Sequence, residues 1–483
     1  MLTLFDISKK GAKALSIDNS ILASSPYQLD AKLLRSQPAR LPEVPENELA
    51  RHYTALSKRA FGVDDGFYPL GSCTMKYNPK VSETIASFEG FANIHPLQNE
   101  QDVQGTLQIM YELQDMLATL CGMDKFTLMP SAGAHGEYTA LQMLRAYHLG
   151  RGDTQRTKII VPDSAHGTNP ASTAMAGFTA INVPSKDGMV DLQALAQAVG
   201  EDTAGLMLTN PNTLGLFEKD ILQISEIVHN AGGLLYYDGA NLNAIVGNIR
   251  PGDMGFDIVH LNLHKTFSTP HGGGGPGSGP VGCKQLLAPY LPVCNVVQKD
   301  GQYCFDSPEK SIGRVKMFYG NVGVCIKAWA YIAMLGTEGL KDASLMAVLN
   351  ANYMLAKLKD KFKVVSDKCM HEFVLSLQEL KEKTGVSALD FAKAMIDEGM
   401  HPPTMYFPQI VKEALMIEPT ETESKHTLDQ AIASILKLYE QAFSHPENMH
   451  LAPQTTPIGR PDEVLAARNP ILAYEFGQTE GKN

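Results

Sequence analysis

Apolar residues that recur every three or four positions predict a long helix at the start of the main body, near residue 100. The residues on its apolar face are Val103, Leu107, Met110, Leu113, Leu117 and Leu120. Short apolar runs typical of buried strands then alternate with helical stretches. The predicted strands are 126–129, 158–161, 180–183, 205–209, 233–237 and 257–263, and the helices between them include 134–148, 191–199 and 218–230. This alternation predicts an α/β fold with a mostly parallel sheet flanked by helices.

The same patterns divide the chain into three predicted regions. Residues 1–95 are rich in proline and loops, apart from a helix predicted at 46–60, and are interpreted as an N-terminal arm. Residues 96–330 form the predicted large domain. Residues 331–483 form a predicted smaller C-terminal α/β domain, with strands near 363–365, 373–377 and 415–418 and helices near 388–399 and 425–443.

Composition excludes several classes of partner and compartment. The chain has 483 residues with 41 Lys and Arg against 52 Asp and Glu, a net charge of −11 that argues against binding nucleic acid or an anionic membrane. The seven cysteines contain no Cys-x-x-Cys pair and favour reduced thiols in the cytoplasm. The start of the chain has no secretory-signal pattern, and the most apolar stretch, 322–335, contains Lys327 and is too short to cross a bilayer.

A lysine and an aspartate follow two predicted strands of the sheet. Lys265 lies between the strand at 257–263 and a glycine-rich loop, and Asp238 ends the strand at 233–237. Either residue by itself has an ordinary explanation, since lysines are mostly surface groups and aspartate is common in turns. Together they match a pyridoxal phosphate site, where a lysine amine binds the cofactor aldehyde and a carboxylate keeps the ring nitrogen protonated.

Two further segments also follow strands. Small residues at 129–137 lie between a strand and a helix, where free backbone amides could hold a phosphate, although a plain tight turn is an equal alternative. The segment 161–170 offers His166, whose ring could stack on a cofactor or be a structural side chain. Because the carboxyl ends of parallel strands meet at one edge of a sheet, all four segments are expected to converge on one crevice.

The glycine run at 271–282 allows a competing interpretation. Its residues 277–282 formally match a dinucleotide-binding fingerprint, which would suggest a nicotinamide dehydrogenase. The match lacks a preceding strand and is interrupted by Pro280, so it is weak. The sequence contains no P-loop, no His-Glu-x-x-His and no metal-spaced Cys/His cluster, and no metal is expected.

Several longer motifs resemble the glycine cleavage system P-protein family, a family of fold-type-I pyridoxal-phosphate enzymes, over nearly the whole chain. The motifs are LGSCTMK (70–76), FANIHP (91–96), SAGAHGE (131–137), DSAHGTNPA (163–171), DGANLN (238–243), the segment 260–275 and EPTETESK (418–425). The resemblance implies pyridoxal 5'-phosphate bound to Lys265, with Asp238 on the pyridine nitrogen and His166 against the ring. It further implies cofactor contacts from Ser131, Ala134, His135, Ala240 and His264, several of them near the phosphate.

The resemblance also implies an activity. Members of this family decarboxylate glycine and transfer its aminomethyl group to the lipoyl arm of H-protein. From the chemistry of the site, Lys265 or His166 is the expected proton carrier. The chain is about half as long as the single-chain P-protein, which implies a partner chain, P-protein subunit 1, with two copies of each. Lys76 and Asn241 are either ligand contacts or structural residues. A stand-alone amino-acid decarboxylase or aminotransferase, and a non-catalytic scaffold subunit, remain the alternatives.

Overall fold

The computed structural model describes residues 2–13, 29–273 and 277–476. Contacts divide the chain into two compact units, one made of Met1–Asp65 with Thr455–Asn483, the other of Gly66–Gln454. The first unit contains helices α1 (Glu46–Ser57) and α14 (Glu463–Arg468). Within it, the rings of Phe5 and Tyr474 stack with centroids 4.6 Å apart.

Seven strands form the central sheet of the Gly66–Gln454 unit. They are β1 (Lys125–Thr127), β2 (Lys158–Pro162), β3 (Thr179–Val183), β6 (Thr203–Leu208), β7 (Leu234–Gly239), β8 (Ile258–Leu261) and β9 (Val281–Cys283), in the spatial order β1-β9-β8-β7-β6-β2-β3. The five strands β8, β7, β6, β2 and β3 run parallel to one another, whereas β9 is antiparallel to both of its neighbours, β1 and β8. The predicted α/β class is confirmed.

Both faces of the sheet are buried, which explains the continuous apolar runs in the sequence. Leu235 and Tyr237 of β7 pack into the core on one face, and Leu234 and Tyr236 pack into the core on the other. The helices of this part are α2 (Lys80–Ala86), α3 (Glu89–Ala92), α4 (Gln104–Cys121), α5 (Gly133–Gly150), α6 (Thr168–Met175), α7 (Leu192–Ala198) and α8 (Ile221–Asn230). Two small hairpins, β4 (Ser185–Lys186) with β5 (Met189–Val190) and β10 (Asn295–Lys299) with β11 (Gln302–Asp306), complete it.

A long helix and a second sheet follow. Helix α9 (Val322–Leu358) is interrupted at Gly336, whose φ is 61°. The second sheet is antiparallel, with the order β12 (Lys363–Val364), β13 (Phe373–Ser376), β15 (Ala414–Ile417), β14 (Thr404–Met405), and is covered by α10 (Gln378–Thr384), α11 (Ala388–Asp397), α12 (Lys425–Ser444) and α13 (Pro446–Leu451). The domain boundaries predicted at residues 95 and 330 stay predictions.

Strand β9 was not predicted, because three residues after a glycine run carry no periodicity. The strand argues against the competing dinucleotide interpretation. Residues 277–282 run into this strand, whereas the dinucleotide fingerprint requires a helix at that point. Among the described residues, no helix is both long and apolar enough to cross a bilayer.

Candidate functional site

A pocket lies within the Gly66–Gln454 unit, where the carboxyl ends of the parallel strands meet. Five residues predicted for the site line it: Ala134, His166, Asp238, Ala240 and Lys265. The other lining residues are Ser72, Gly133, Glu137, Thr168, Thr209, Pro211, Asn212, Thr213, Asn241, Asn262, His371 and Glu372. The predicted convergence of strand-end segments is therefore present in the fold.

Lys265 reaches this pocket from the turn after β8. Its backbone N–H donates to the carbonyl of Asn262 at 3.1 Å, which closes the turn. The Nζ atom donates to the carbonyl oxygen of Ser72 at 2.7 Å. The amine is thus held in the pocket by a backbone group, and within the described part of the chain it forms no ion pair with a carboxylate.

Asp238 is buried and held in its charged form. Its carboxylate accepts hydrogen bonds from Asn169 Nδ2 at 2.9 Å and from the backbone N–H of Ala240 at 3.1 Å. Burial by itself raises the pKa of this carboxyl, but His260 and the two hydrogen bonds outweigh burial and lower the net pKa below its usual value. A fixed negative charge therefore faces the pocket.

A buried tyrosine and histidine lie behind this carboxylate. Burial raises the pKa of Tyr236 well above its usual value, so its hydroxyl keeps its proton, and the hydroxyl oxygen lies 2.5 Å from His260 Nδ1. The other ring nitrogen of His260, Nε2, lies 3.5 Å from Asp238 Oδ1. Register explains the contact, because Asp238 and His260 are directly paired across β7 and β8.

The amino end of α5 has the features of a phosphate site. Gly133 and Ala134 of its first turn line the pocket, and the helix has neither an N-terminal side-chain cap nor an acidic residue in this turn. First-turn N–H groups lack carbonyl partners within a helix, so they are available to an anion. Among the described residues, the buried Thr209 Oγ1 and Asn262 Oδ1 of the lining have no hydrogen-bond partner. The residues therefore fit a polar, anionic cofactor such as pyridoxal phosphate.

His166 is fixed in orientation from two sides. Its Nδ1 lies 2.9 Å from Thr168 Oγ1 and accepts from the Thr168 N–H at 3.2 Å, while Phe407 contacts the ring edge-on with centroids 5.5 Å apart. The Thr168 hydroxyl in turn donates to Glu137 at 2.8 Å. The imidazole forms one wall of the pocket with its orientation set.

Three predicted residues lie beside the pocket rather than in its lining. The backbone N–H of Ser131 donates to His135 Nδ1 at 3.2 Å, so the His135 ring contacts the loop that precedes its own helix. His264 Nδ1 accepts from the N–H of Ser278 at 3.4 Å. Burial, together with the charges of His271 and Lys265, lowers the pKa of His264 to about 3, so this ring is neutral. The cofactor roles of Ser131, His135 and His264 stay predictions.

Two buried glutamates of the site were missed by the sequence reasoning. Glu372 lines the pocket and accepts from the N–H of Ser72 at 2.7 Å. Glu418 accepts from the N–H and hydroxyl of Thr74, at 2.9 and 2.6 Å, and from Asn241 Nδ2 at 2.9 Å. Each glutamate borders a strand of the second sheet, which is the signal that could have identified them. Asn241, an open alternative in the sequence, both lines the pocket and holds Glu418.

Lys76, the other open alternative, is fully buried in a polar network. Its Nζ donates to Glu421 at 2.6 Å, to the carbonyl of Thr266 at 2.7 Å and to Asn243 at 2.9 Å. Since Thr266 follows Lys265, this network fixes the loop that carries the lysine amine.

Comparison with known proteins identifies relatives over nearly the full length. Residues 13–300 match the family described as glycine cleavage system P-protein, and residues 343–455 match the C-terminal domain of glycine dehydrogenase. A probable glycine dehydrogenase (decarboxylating) subunit 2 of Treponema denticola is 61% identical, with 97% of this chain and 98% of the relative covered. The protein of the same name from Caldanaerobacter subterraneus subsp. tengcongensis is 58% identical, with 98% of each covered.

Solved structures show the same architecture. An inhibitor-bound crystal structure of glycine decarboxylase (P-protein) superposes with a TM-score of 0.71 at 22% identity, covering 89% of this chain and 96% of that one. A glutamate decarboxylase of Lactobacillus brevis superposes with a TM-score of 0.65 at 14% identity, covering 85% and 96%. The fold is thus that of the fold-type-I pyridoxal-phosphate enzymes. The family match and the relatives near 60% identity show that the chain belongs to the glycine cleavage system P-protein family.

Proposed function

We propose that this chain is the cofactor-binding subunit of a decarboxylating glycine dehydrogenase. It decarboxylates glycine with pyridoxal 5'-phosphate and transfers the aminomethyl group to the lipoyl arm of H-protein. It works with a second chain, P-protein subunit 1, as two copies of each. The observation that carries the proposal is the presence of the Lys265 amine and the charged Asp238 carboxylate in the lining of one pocket. A cytoplasmic location is part of it, supported by seven unpaired cysteines.

Four groups of the pocket are proposed to hold the cofactor. Lys265 would bind its aldehyde, Asp238 would hold the ring nitrogen, His166 would pack against the ring, and the first turn of α5 would bind the phosphate. When bound, the cofactor supplies a protonated ring that accepts the electron pair left by departing CO₂. The protein's part is to keep a proton on that ring nitrogen, which Asp238 does because its own charge is fixed by Asn169 and His260.

Lys265 has a second proposed task. When its amine is not bonded to the cofactor, the backbone carbonyl of Ser72, which is its hydrogen-bond partner in the pocket, would keep the amine near the substrate. It can therefore carry a proton to or from the substrate. His166 is the alternative proton carrier. Its Nδ1 is in hydrogen-bond contact with Thr168, so Nε2 is the ring nitrogen that could exchange a proton with the substrate.

The proposed function predicts that exchange of labelled CO₂ with the carboxyl of glycine requires lipoylated H-protein and the second chain. The measurement uses the purified pair of chains with cofactor, with and without H-protein, and with H-protein that lacks its lipoyl group as the matched control. Turnover of glycine or another amino acid without H-protein would favour the stand-alone decarboxylase or aminotransferase. Absence of a visible cofactor band would favour the non-catalytic scaffold.

Asp238→Asn tests the charge under the ring. The amide keeps the shape and the hydrogen bond with Ala240 but removes the negative charge, so we expect the cofactor to bind while glycine–CO₂ exchange falls about 10²–10³-fold. Absorbance titration with cofactor measures binding, and the exchange assay measures activity. An unchanged exchange rate in this variant would contradict the role given to Asp238.

A further inference from the structure

Strand register brings two glutamates side by side in the second sheet. Phe373 of β13 pairs with Ile417 of β15, so Glu372 and Glu418, one residue beyond each, extend from the same end of the paired strands. Both side chains are buried, with residue exposures of 3% and 0%. A carboxylate oxygen of each lies within 4.8 Å of the other and of a ring nitrogen of His371. Two carboxyls this close and this buried do not both carry a charge.

The hydrogen bonds decide which of the two keeps the proton. Glu418 accepts three, from the Thr74 N–H, the Thr74 hydroxyl and Asn241 Nδ2, whereas the hydrogen bond in place at Glu372 comes from the Ser72 N–H. Donors stabilise a carboxylate, so Glu418 is the charged member. Burial and the charge of Glu418 hold the pKa of Glu372 well above its usual range, although Ser72 and Lys265 act in the opposite direction.

Glu372 and the Lys265 amine contact the same residue. Lys265 Nζ donates to the Ser72 carbonyl at 2.7 Å and Glu372 accepts from the Ser72 N–H at 2.7 Å. Ser72 has a φ of 66°, a left-handed conformation that aims its two backbone groups at these partners. Both side chains line the pocket. Among the described residues, Lys265 is the single lysine or arginine in that lining, so no guanidinium is available there for a substrate carboxylate.

We propose that Glu372 binds the carboxylate of the amino-acid substrate, as a neutral carboxylic acid that donates a hydrogen bond to it. This inference rests on the proposed function and adds a specificity residue to the same pocket. A neutral donor suits decarboxylation, because an ionic contact with arginine would stabilise the starting carboxylate and be lost as CO₂ departs. A neutral carboxylic acid stabilises the starting carboxylate less than arginine does, so less stabilisation is lost as CO₂ departs. It also does not repel the substrate carboxylate.

The pH dependence follows from the groups around Glu372. Among the described residues, the charged and titratable side chains that face it are Glu418, His371, Cys73, Cys369 and Lys265. When the pH rises through the pKa of Glu372, the donor is lost and a negative charge is placed against the substrate carboxylate. Affinity for glycine is therefore expected to fall on the alkaline side, whereas affinity for methylamine, which has no carboxylate, lacks this fall.

The test is an equilibrium titration of the cofactor-loaded enzyme with glycine and, separately, methylamine, followed by the change in cofactor absorbance. The quantity compared is the Kd for glycine divided by the Kd for methylamine, measured from pH 6 to pH 9. The ratio removes the pH dependence that both ligands share through their amines, so weaker glycine binding at high pH appears as a rise in the ratio. Glu372→Leu is expected to weaken glycine binding about tenfold or more and to leave methylamine within about twofold. Glu372→Gln keeps an N–H donor, so it should stay near wild type at neutral pH and lose the alkaline rise in the ratio.

Equal weakening of both ligands in Glu372→Leu, or no weakening of either, would overturn the inference, because the residue would then be structural or uninvolved. If the leucine variant does not bind cofactor, Glu372→Gln decides: an unchanged alkaline rise in the ratio contradicts the proposal and its disappearance supports it. Failure of the proposed function is seen separately, because the wild-type enzyme would then form no cofactor band and respond to neither amine.

Discussion

Replacement of Lys265 by alanine is expected to abolish the visible cofactor band that borohydride traps covalently, and to reduce glycine–CO₂ exchange by at least about 10⁴-fold. The reason is that the Lys265 amine reaches the pocket and, among the residues that the structure describes, has no carboxylate partner and is the single lysine of the lining. No other residue of the described lining has a primary amine that could form an imine with the cofactor aldehyde. The measurement is absorbance before and after borohydride, followed by peptide mapping of the labelled lysine.

Lys437→Ala is the matched control for this substitution. Lys437 lies on the surface and pairs with Glu398 at 2.7 Å, so its loss should leave the band, the label and the exchange rate unchanged. A label that persists in Lys265→Ala would contradict the assignment. The buried Lys76, which contacts the backbone of Thr266, would then be the first alternative to map.

Replacement of Lys76 by methionine is expected to lower the free energy of unfolding by about 3–5 kcal/mol. The Lys76 side chain is 1% exposed, and its loss leaves the carboxylate of Glu421, whose side chain is 7% exposed, without its cation. Burial lowers the pKa of Lys76, but Glu421 and Tyr331 raise it by more than burial lowers it, so the net pKa is above its usual value. Its stabilising contribution is therefore complete at neutral pH and is lost only as the pH rises through that elevated pKa.

Urea unfolding followed by circular dichroism measures this effect. The double variant Lys76→Met/Glu421→Gln should recover part of the loss, because removal of both charges leaves no unpaired ion in the interior. Lys383→Met is the surface control, since Lys383 and Glu379 form an exposed i,i+4 pair worth a few tenths of a kcal/mol. A loss of less than about 1 kcal/mol in Lys76→Met would show that this pair does not stabilise the fold.

The parallel part of the sheet was predictable because its signals are local. The apolar runs that became β2, β6, β7 and β8 are buried on both faces, so each segment reveals its strand without knowledge of its neighbours. Asp238 and Lys265 could be identified for a related reason. Any side chain at the carboxyl end of a parallel strand lies at the edge where such sheets bind ligands, whatever the order of the strands. Strand β9 was missed because its three residues give no such signal.

The sequence by itself therefore determined the fold class and the placement of Lys265 and Asp238 after two strands of the sheet, since each depends on residues close together along the chain. Tertiary structure decided which glutamate keeps a proton beside the lysine. Ser72 and Glu372 are 300 positions apart, and Thr74 and Glu418 are 344 apart. Their contacts depend on the antiparallel register of β13 and β15 and on how many donors reach each carboxylate, and local periodicity contains neither.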